Sequence, residues 1–379
     1  MNAILRSRDQ PDCGSIVVGF PISDEHYDLL MENLQLLGMG GMTEKDCMVE
    51  RIDGSLPILK QLEGQSVNID ELDCLARQTQ QFSPRDAARY QAMAFTHGLH
   101  RMDDLLNLSP VVNFQKMTVI QDFASLENDG LAHYKMLHPF AVEQELAEVD
   151  GVDVAMELIL SNPSGRITPY GVAFDFNQEL KQFYSSGGPL PPLNDHEGVM
   201  ELSIFSSEQS NNHPPSFIRL PTSEQRLERL LERGGISPQS DLIIGVASIG
   251  CSPRQLPDDF DHTSPQDFNR LAQRIAALSP EDNQKLIAVK EFAKAKEATQ
   301  IIALAENLEL FLFEPGVKSS REFSKRAQHR YQGSKTVKGI GRAVEDGYVG
   351  YYGPQPLSEL LDGNCETKSS MQMMGTGMI

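Results

Sequence analysis

Two histidines, His97 and His100, stand three residues apart on a predicted helix, close enough to share a metal ion. A repeated copy of the same segment has Ala293 and Lys296 at those positions, and no third ligand is evident. Helix histidines facing solvent are the expectation, with no metal and no cofactor. The glycine runs Gly38-Met39-Gly40-Gly41 and Gly339-Ile340-Gly341 complete neither GxGxxG nor GxxxxGK[ST], and Gly333-Ser334-Lys335-Thr336 lacks the Walker order. All three read as turns. No GxSxG or HExxH occurs. Asp103 and Asp104 are adjacent, so on a helix they point to different faces and cannot share a proton. The residues give no catalytic constellation, so the chain is expected not to be an enzyme.

What remains is charge. The 379 residues carry 53 acids against 33 Lys and Arg, a net of -20. Residues 1–200 hold 30 acids and 13 bases, net -17; residues 201–379 hold 23 and 20, net -3. Solubility alone accounts for many acidic proteins. Eleven acids nonetheless fall on predicted helix starts or exposed faces: Asp24, Glu25, Asp28, Asp70, Glu71, Asp73, Asp103, Asp104, Asp122, Glu127 and Asp129. A further run places Glu143, Glu145, Glu148, Asp150 and Asp153 within eleven residues and without a base. The one basic cluster, residues 317–342, lacks the interleaved aromatics of a single-strand platform and reads as a solvated helix face and loop.

The elements that must position these groups occur twice. Asn68–Leu108 aligns with Ser264–Leu304 at an offset of 196: Leu75-Ala76 falls on Leu271-Ala272 and Phe82-Ser83-Pro84 on Leu278-Ser279-Pro280. Ser-Pro with Asp two residues on (Ser83, Pro84, Asp86; Ser279, Pro280, Asp282) is a helix start, with a capping hydroxyl, proline at the first position and an acid at the positive end. Ahead of this segment, SIVVGFPISDEHYDLL and SFIRLPTSEQRLERLL each read as strand, Pro turn and amphipathic helix, 200 residues apart. Further strands are expected at 46–53 and 241–250. Extended stretches follow at 111–123 and 307–317, and β-rich closures at VAMELILSN with residues 165–176 and at residues 347–357. The expected class is α+β in two tandem units: a leader at 1–12, an acidic unit at 13–182, a Gly/Pro-rich linker at 183–215, a near-neutral unit at 216–363 and a disordered tail at 364–379. No apolar run approaches the ~20 residues of a membrane span. No secretory h-region appears, and the five cysteines form no CxxC, so a reducing cytoplasm is expected.

Leu105-Leu106-Asn107-Leu108, Asn307-Leu308-Glu309 and Glu314-Pro315-Gly316-Val317, with DELDCLARQ (70–78) and TPYG (168–171), resemble the ArdA antirestriction family across most of both units. The resemblance implies a non-enzymatic protein of mobile elements: an elongated acidic mimic of B-form DNA that occupies the DNA-binding groove of type I restriction–modification enzymes. Its implied partner is therefore a DNA-binding defence enzyme, with no direct nucleic-acid or membrane contact, and the sixteen acids above are the implied mimic surface. Members usually carry one such unit and pair as dimers. This chain departs as a tandem, either a monomeric pseudo-dimer or a homodimer, with a nearly neutral second unit.

Magnitudes limit the mimicry. A unit of ~170 residues is ~40 Å across, and duplex DNA of that length carries ~24 phosphate charges. The net -17 of residues 1–200 approaches this on one face, whereas -3 does not. The alternative is an interaction adaptor or defence inhibitor with the same fold and an ordinary mixed interface. The acidic run at 143–153 is expected either as a solvated loop or as an extension of the negative band. Its counterpart at 331–339 carries lysines instead.

Overall fold

The computed structural model describes residues 1–175, 177–193, 197–206, 214–237, 241–258, 260, 263–330 and 340–362. The class is α+β. The first sequence copy runs β1 (Asn2–Ser7), β2 (Ser15–Gly19), α1 (Asp24–Leu36), β3 (Cys47–Asp53), β4 (Ser66–Val67), α2 (Ile69–Gln80), α3 (Pro84–His97), α4 (Met102–Leu108), β5 (Thr118–Ile120), α5 (Leu126–Leu137), α6 (Glu143–Glu148), α7 (Gly151–Ser161), β6 (Arg166–Thr168) and β7 (Gly171–Phe174). The second runs β8 (Met200–Ser206), β9 (Ser216–Leu220), α8 (Glu224–Arg233), β10 (Leu242–Ser248), α9 (Pro265–Ala277), α10 (Pro280–Ala293), α11 (Ala298–Glu306), β11 (Phe311–Pro315), α12 (Ser320–Arg330), β12 (Ile340–Val344), β13 (Gly347–Tyr351) and α13 (Leu357–Leu361).

The duplication is visible in topology as well as in sequence. Sheet order β2-β1-β3-β4 recurs as β9-β8-β10 without the fourth strand, and β5-β7-β6 recurs as β11-β13-β12. Three helices, α2–α4, recur as α9–α11, and Phe20-Pro21 and Leu220-Pro221 are both cis. The Ser-Pro starts behave as the sequence predicts. Ser83 accepts from the Asp86 amide and Ser279 from that of Asp282; Ser264, not among the starts predicted from sequence, caps α9 in the same way through the Asp267 amide. Asn68 caps α2 through the Asp70 and Glu71 amides, and its side-chain nitrogen donates to the carbonyls of Gly41, Met42 and Glu44.

Several expectations need correction. Residues 2–7, read as part of a leader, form β1 at the centre of the first sheet, because Ala3, Leu5 and Ser7 alternate inward between β2 and β3. The linker span contains buried Tyr184, and its stretch VMELSIFSS (199–207), which reads as strand-like in the sequence, carries β8. VAMELILSN, read as extended, is helical through Ser161: Asp150 accepts from the Val152 and Asp153 amides and starts α7, which then packs on α5. The cap and the packing override the β propensity of the Val/Ile run. Residues 111–113 form a helical turn, leaving only Thr118–Ile120 extended. The tail and residues 331–339 lie outside the described residues.

Compactness divides the chain differently from its repeats. One unit comprises Met1–Asp195, Ile204–Ile218 and Ser223–Asp241; the other comprises His196–Ser203, Arg219–Thr222 and Leu242–Ile379. Helix α8, expected in the second unit, therefore belongs to the first. The first unit has a main core around Leu5, Tyr27, Leu72, Leu75, Tyr90 and Leu105, and a smaller one of Ile120, Leu126, Ala155, Leu158 and Phe174. In the second unit Phe268, Leu271, Val289 and Ile301 are buried. Among the described residues, no helix is long and apolar enough to cross a membrane.

Candidate functional site

Helix α8 carries Arg226, Arg229 and Arg233 at spacings of three and four, one face of a helix. All three are buried in the first unit. Arg226 donates to Asp24 at 2.8 Å and to Asp73, and its guanidinium lies 4.4 Å from the centre of the Tyr27 ring. Arg229 places Nη2 at 2.6 Å and Nε at 3.1 Å from one Asp70 oxygen, and reaches the carbonyls of Gly40 and Gly41 at 2.9 and 3.0 Å. Arg233 donates to Asn68 Oδ1 at 2.9 Å, Tyr184 Oη at 3.0 Å and Glu71 Oε1 at 3.3 Å. Tyr27 donates to the second Asp70 oxygen at 2.5 Å, and Tyr184 to Glu71. Burial, followed by the Asp70 carboxylate, pushes the Tyr27 phenol far above its ordinary range, so it stays a donor.

This ladder overturns part of the expected acidic face. Asp70, Glu71 and Asp73 are 5%, 0% and 2% exposed. Three carboxylates among the first five residues of α2 are paired with three guanidiniums and cannot meet a partner. Asp129 is also buried, accepting from the Gln121 amide and the Ser125 hydroxyl and so tying α5 to the chain before it. Asp24 and Asp103 are half-buried and paired, the first with Arg226 and the second with Lys45 at 2.7 Å. Asp104 caps α4 through the Arg101 amide. A sequence signal for the ladder existed: the three arginines share a face of α8, whereas α1 has His26, Leu29 and Asn33 at the positions 200 residues earlier. On the acidic side, α9 has Gln266, Asp267 and Asn269 where α2 has Asp70, Glu71 and Asp73. The ladder is built once in the duplicated chain.

The remaining acids stay outside. Glu25, Asp28, Asp122, Glu127, Glu143, Glu145, Glu148, Asp150 and Asp153 are exposed. The run at 143–153 is not a loop but helix, cap and helix, with Asp150 holding the start of α7. Residues 122–157 contain nine acids and one base, Lys135, and among the acids only Asp129 is buried. The same region exposes large apolar groups: Phe123 is 86% exposed and Phe140 94%, with Leu137, Val142 and Leu160 also outside. On α7, Asp153, Glu157 and Leu160 fall at i, i+4 and i+7, one outward stripe. Carboxylates and exposed aromatic and aliphatic groups are thus mixed on this surface, negative in charge and partly apolar.

Among the described residues, no three His, Cys, Asp or Glu side chains are placed to hold a metal ion. His100 bonds the Gly98 carbonyl through Nδ1 at 2.7 Å. Gly38 and Gly40 are turns with φ of 69° and 87°, while Gly339 and residues 333–336 lie outside the described residues. A shallow cleft of about 490 Å³ beside β2 and α1 brings together only Ser23 and His26 as side-chain partners, 2.7 Å apart. Cys13, Cys47, Cys74 and Cys251 are free thiols.

One buried histidine gives α5 a pH dependence. His133 shares a 2.8 Å hydrogen bond with the Thr118 hydroxyl, and burial lowers its pKa below the ordinary 6.5, partly opposed by Asp175. Below that value the unfolded chain takes the proton more readily than the folded one. Stability from this site is therefore full above about pH 6.5 and is lost as the pH falls through the folded value. Urea unfolding at pH 7 and pH 5 is expected to show this loss, and His133→Gln to reduce the difference.

Compared with known proteins, the chain matches no family model, no curated protein and no solved structure.

Proposed function

We propose that the protein is a non-enzymatic binding protein whose first unit docks on a cationic protein surface. Its proposed partner class is a DNA-binding defence enzyme of the type I restriction–modification kind, the acids standing in for phosphates. The observation that carries this reading is the surface of residues 122–157, with eight exposed acids against one lysine. Burial of Asp70, Glu71, Asp73 and Asp129 takes four carboxylates out of the mimic surface. Imitation therefore covers a shorter stretch of duplex than ~24 phosphates and centres on α5–α7.

The test is a variant with Glu143, Glu145 and Glu148 changed to Gln and Asp150 and Asp153 to Asn. Asn caps a helix about as well as Asp, so α7 keeps its start. Protection of unmodified DNA against a type I enzyme is expected to fall by about tenfold or more, and binding by the unaltered protein to weaken steeply with salt. Full protection by a folded variant, or affinity indifferent to salt, removes the mimicry. Exposed Phe123 and Phe140 favour one second reading, an adaptor with a mixed interface, since imitation of phosphates needs no aromatic side chain. For an adaptor, Phe140→Ser abolishes binding and the acidic variant does not.

A further inference from the structure

Strand β2 ends the first sheet, and a cleft lies beside its free edge. The Met1 nitrogen donates to Phe20 O at 2.7 Å and the Phe20 amide to Met1 O at 2.8 Å, so these two residues exchange both bonds. Antiparallel partners alternate between such pairs and pairs that exchange none. With Ala3 opposite Val18 and Leu5 opposite Ile16, the alternation turns the backbone groups of Val18 and Ile16 toward β1. It leaves the N–H and C=O of Ser15, Val17 and Gly19 pointing outward. Among the described residues no hydrogen bond from outside the sheet reaches them. The sequence SIVVG has neither charge nor proline to guard this edge.

Other strands also end sheets; the cleft distinguishes β2. Val17 and Gly19 line it from the strand, and Ser23, His26 and Leu30 line it from one face of α1. Its back wall is already in place, with Phe20 and Ile22 buried and the Ile22 amide donating to Asp73 at 2.6 Å. The volume of about 490 Å³ takes one large side chain with its backbone. The second copy uses the matching positions differently: Ser223 caps the Arg226 amide, and Arg226 turns into the ladder. On α1 the Ser23 hydroxyl makes no cap bond and meets His26 Nδ1 at 2.7 Å, and both side chains stay exposed.

We infer that this groove binds an extended, basic peptide segment of a partner protein, whose backbone adds to β2 and which seats one aliphatic side chain in the cleft. Each property answers a feature of the site. Outward amides and carbonyls at alternate residues match a strand backbone. Val17, Phe20 and Leu30 offer an apolar seat. Helix α1 carries Asp24, Glu25, Asp28 and Glu32 and no Lys or Arg, in the part of the chain with net -17, which selects a cationic segment. Alternate side chains of a strand lie ~7 Å apart on one face, close to the ~6 Å from His26 to Leu30 along the helix. The matching pattern is therefore cation, any residue, aliphatic, any residue, cation. The inference does not rest on the acidic face of α5–α7.

The test uses the full chain and a fluorescein-labelled peptide, Thr-Lys-Thr-Leu-Thr-Lys-Thr, in which threonine favours the extended form. Fluorescence anisotropy is expected to show saturable binding with a Kd of roughly 100 μM, weakened about tenfold when the leucine is replaced by serine or both lysines by glutamate. Val17→Pro removes an outward amide and no bond to β1, a change that an edge strand tolerates. It should weaken binding about tenfold or more, whereas Val17→Thr, which keeps the amide, should not. In the unaltered protein the Val17 and Gly19 amides should exchange more slowly as peptide is added. No saturable binding up to about 1 mM overturns the proposal, as does equal binding of the serine or glutamate peptide. Binding that survives Val17→Pro also overturns it, since the peptide then sits on acids elsewhere. If the Val17→Pro protein fails to fold, exchange decides: rates at Val17 and Gly19 unchanged by saturating peptide overturn the proposal.

Discussion

Arg229→Ala is expected to destabilise the first unit by about 3–5 kcal/mol, the loss typical of a broken buried ion pair. The side chains of Arg229 and Asp70 are 7% and 6% exposed. Without the guanidinium, Asp70 keeps only the Tyr27 hydroxyl as a short partner and the Gly40 carbonyl loses its donor, while the Gly41 carbonyl keeps the Asn68 side-chain nitrogen. A buried carboxylate without its counter-charge and one buried carbonyl without its donor make up the cost. Arg229→Lys recovers part of it, because one ammonium replaces neither the paired contact with Asp70 nor the fork that reaches both carbonyls. The double variant Arg229→Met with Asp70→Leu should be more stable than Arg229→Ala, since no unpaired charge remains. Urea unfolding followed by a probe in the first unit reads all three. A cost for Arg229→Ala near that of an exposed pair, below about 1 kcal/mol, would sink the ladder as a structural element.

That pair explains which parts of the fold the sequence disclosed and which it hid. Helix starts at Ser83 and Ser279 were legible because hydroxyl, proline and acid lie within a few residues of one another and of the amide they cap. Offsets of 196 and 200 exposed the duplication for the same reason: each repeated element carries its own local signals. The fate of Asp70 was not local. Its partner Arg229 is 159 residues away, and the partner of Glu71, Arg233, is 162 away. An acid at a helix start looks the same whether it meets water or a distant guanidinium. β1 was hidden differently. Its alternation spans only six residues, and polarity does not follow it: the inward set Ala3, Leu5 and Ser7 ends in a hydroxyl, while Ile4 shares the outer face with Arg6, whose charge sits beside Glu50. The run at 143–153 is legible as charge, but its helices are not, because Asp150 reads as one more acid until the amides it caps are in place.

The position of that acidic surface rests on the crossing of α5 and α7, and a single methyl group is expected to disrupt it. A Cβ on Gly151 would lie 2.2 Å from the Glu127 carbonyl oxygen and 2.9 Å from Leu131 Cγ; one on Gly130 would lie 1.8 Å from the Gly151 carbonyl oxygen. The obstructing oxygens are backbone and cannot turn aside as a flexible side chain would. In Gly130→Ala or Gly151→Ala the helices must therefore separate, and Leu126, Ala155 and Leu158 lose close packing in the smaller core. Overpacking against rigid neighbours costs about 3 kcal/mol. That cost should fall locally, since α5 and α7 pack chiefly on one another. Hydrogen exchange is expected to accelerate through α5 and α7 while the amides of α2–α4 keep their protection. Gly98→Ala is the control: Gly98 has φ +66° and nothing within 4 Å of an added Cβ, so it should cost about 1 kcal/mol, from backbone conformation alone. Partner binding separates the two causes. If α5–α7 present the docking surface, Gly151→Ala weakens binding and Gly98→Ala does not, although both proteins remain folded at 25 °C. Exchange rates in α5 and α7 equal to those of the unaltered protein would mean that the helices absorb the methyl group, and that their close crossing does not fix the acidic face.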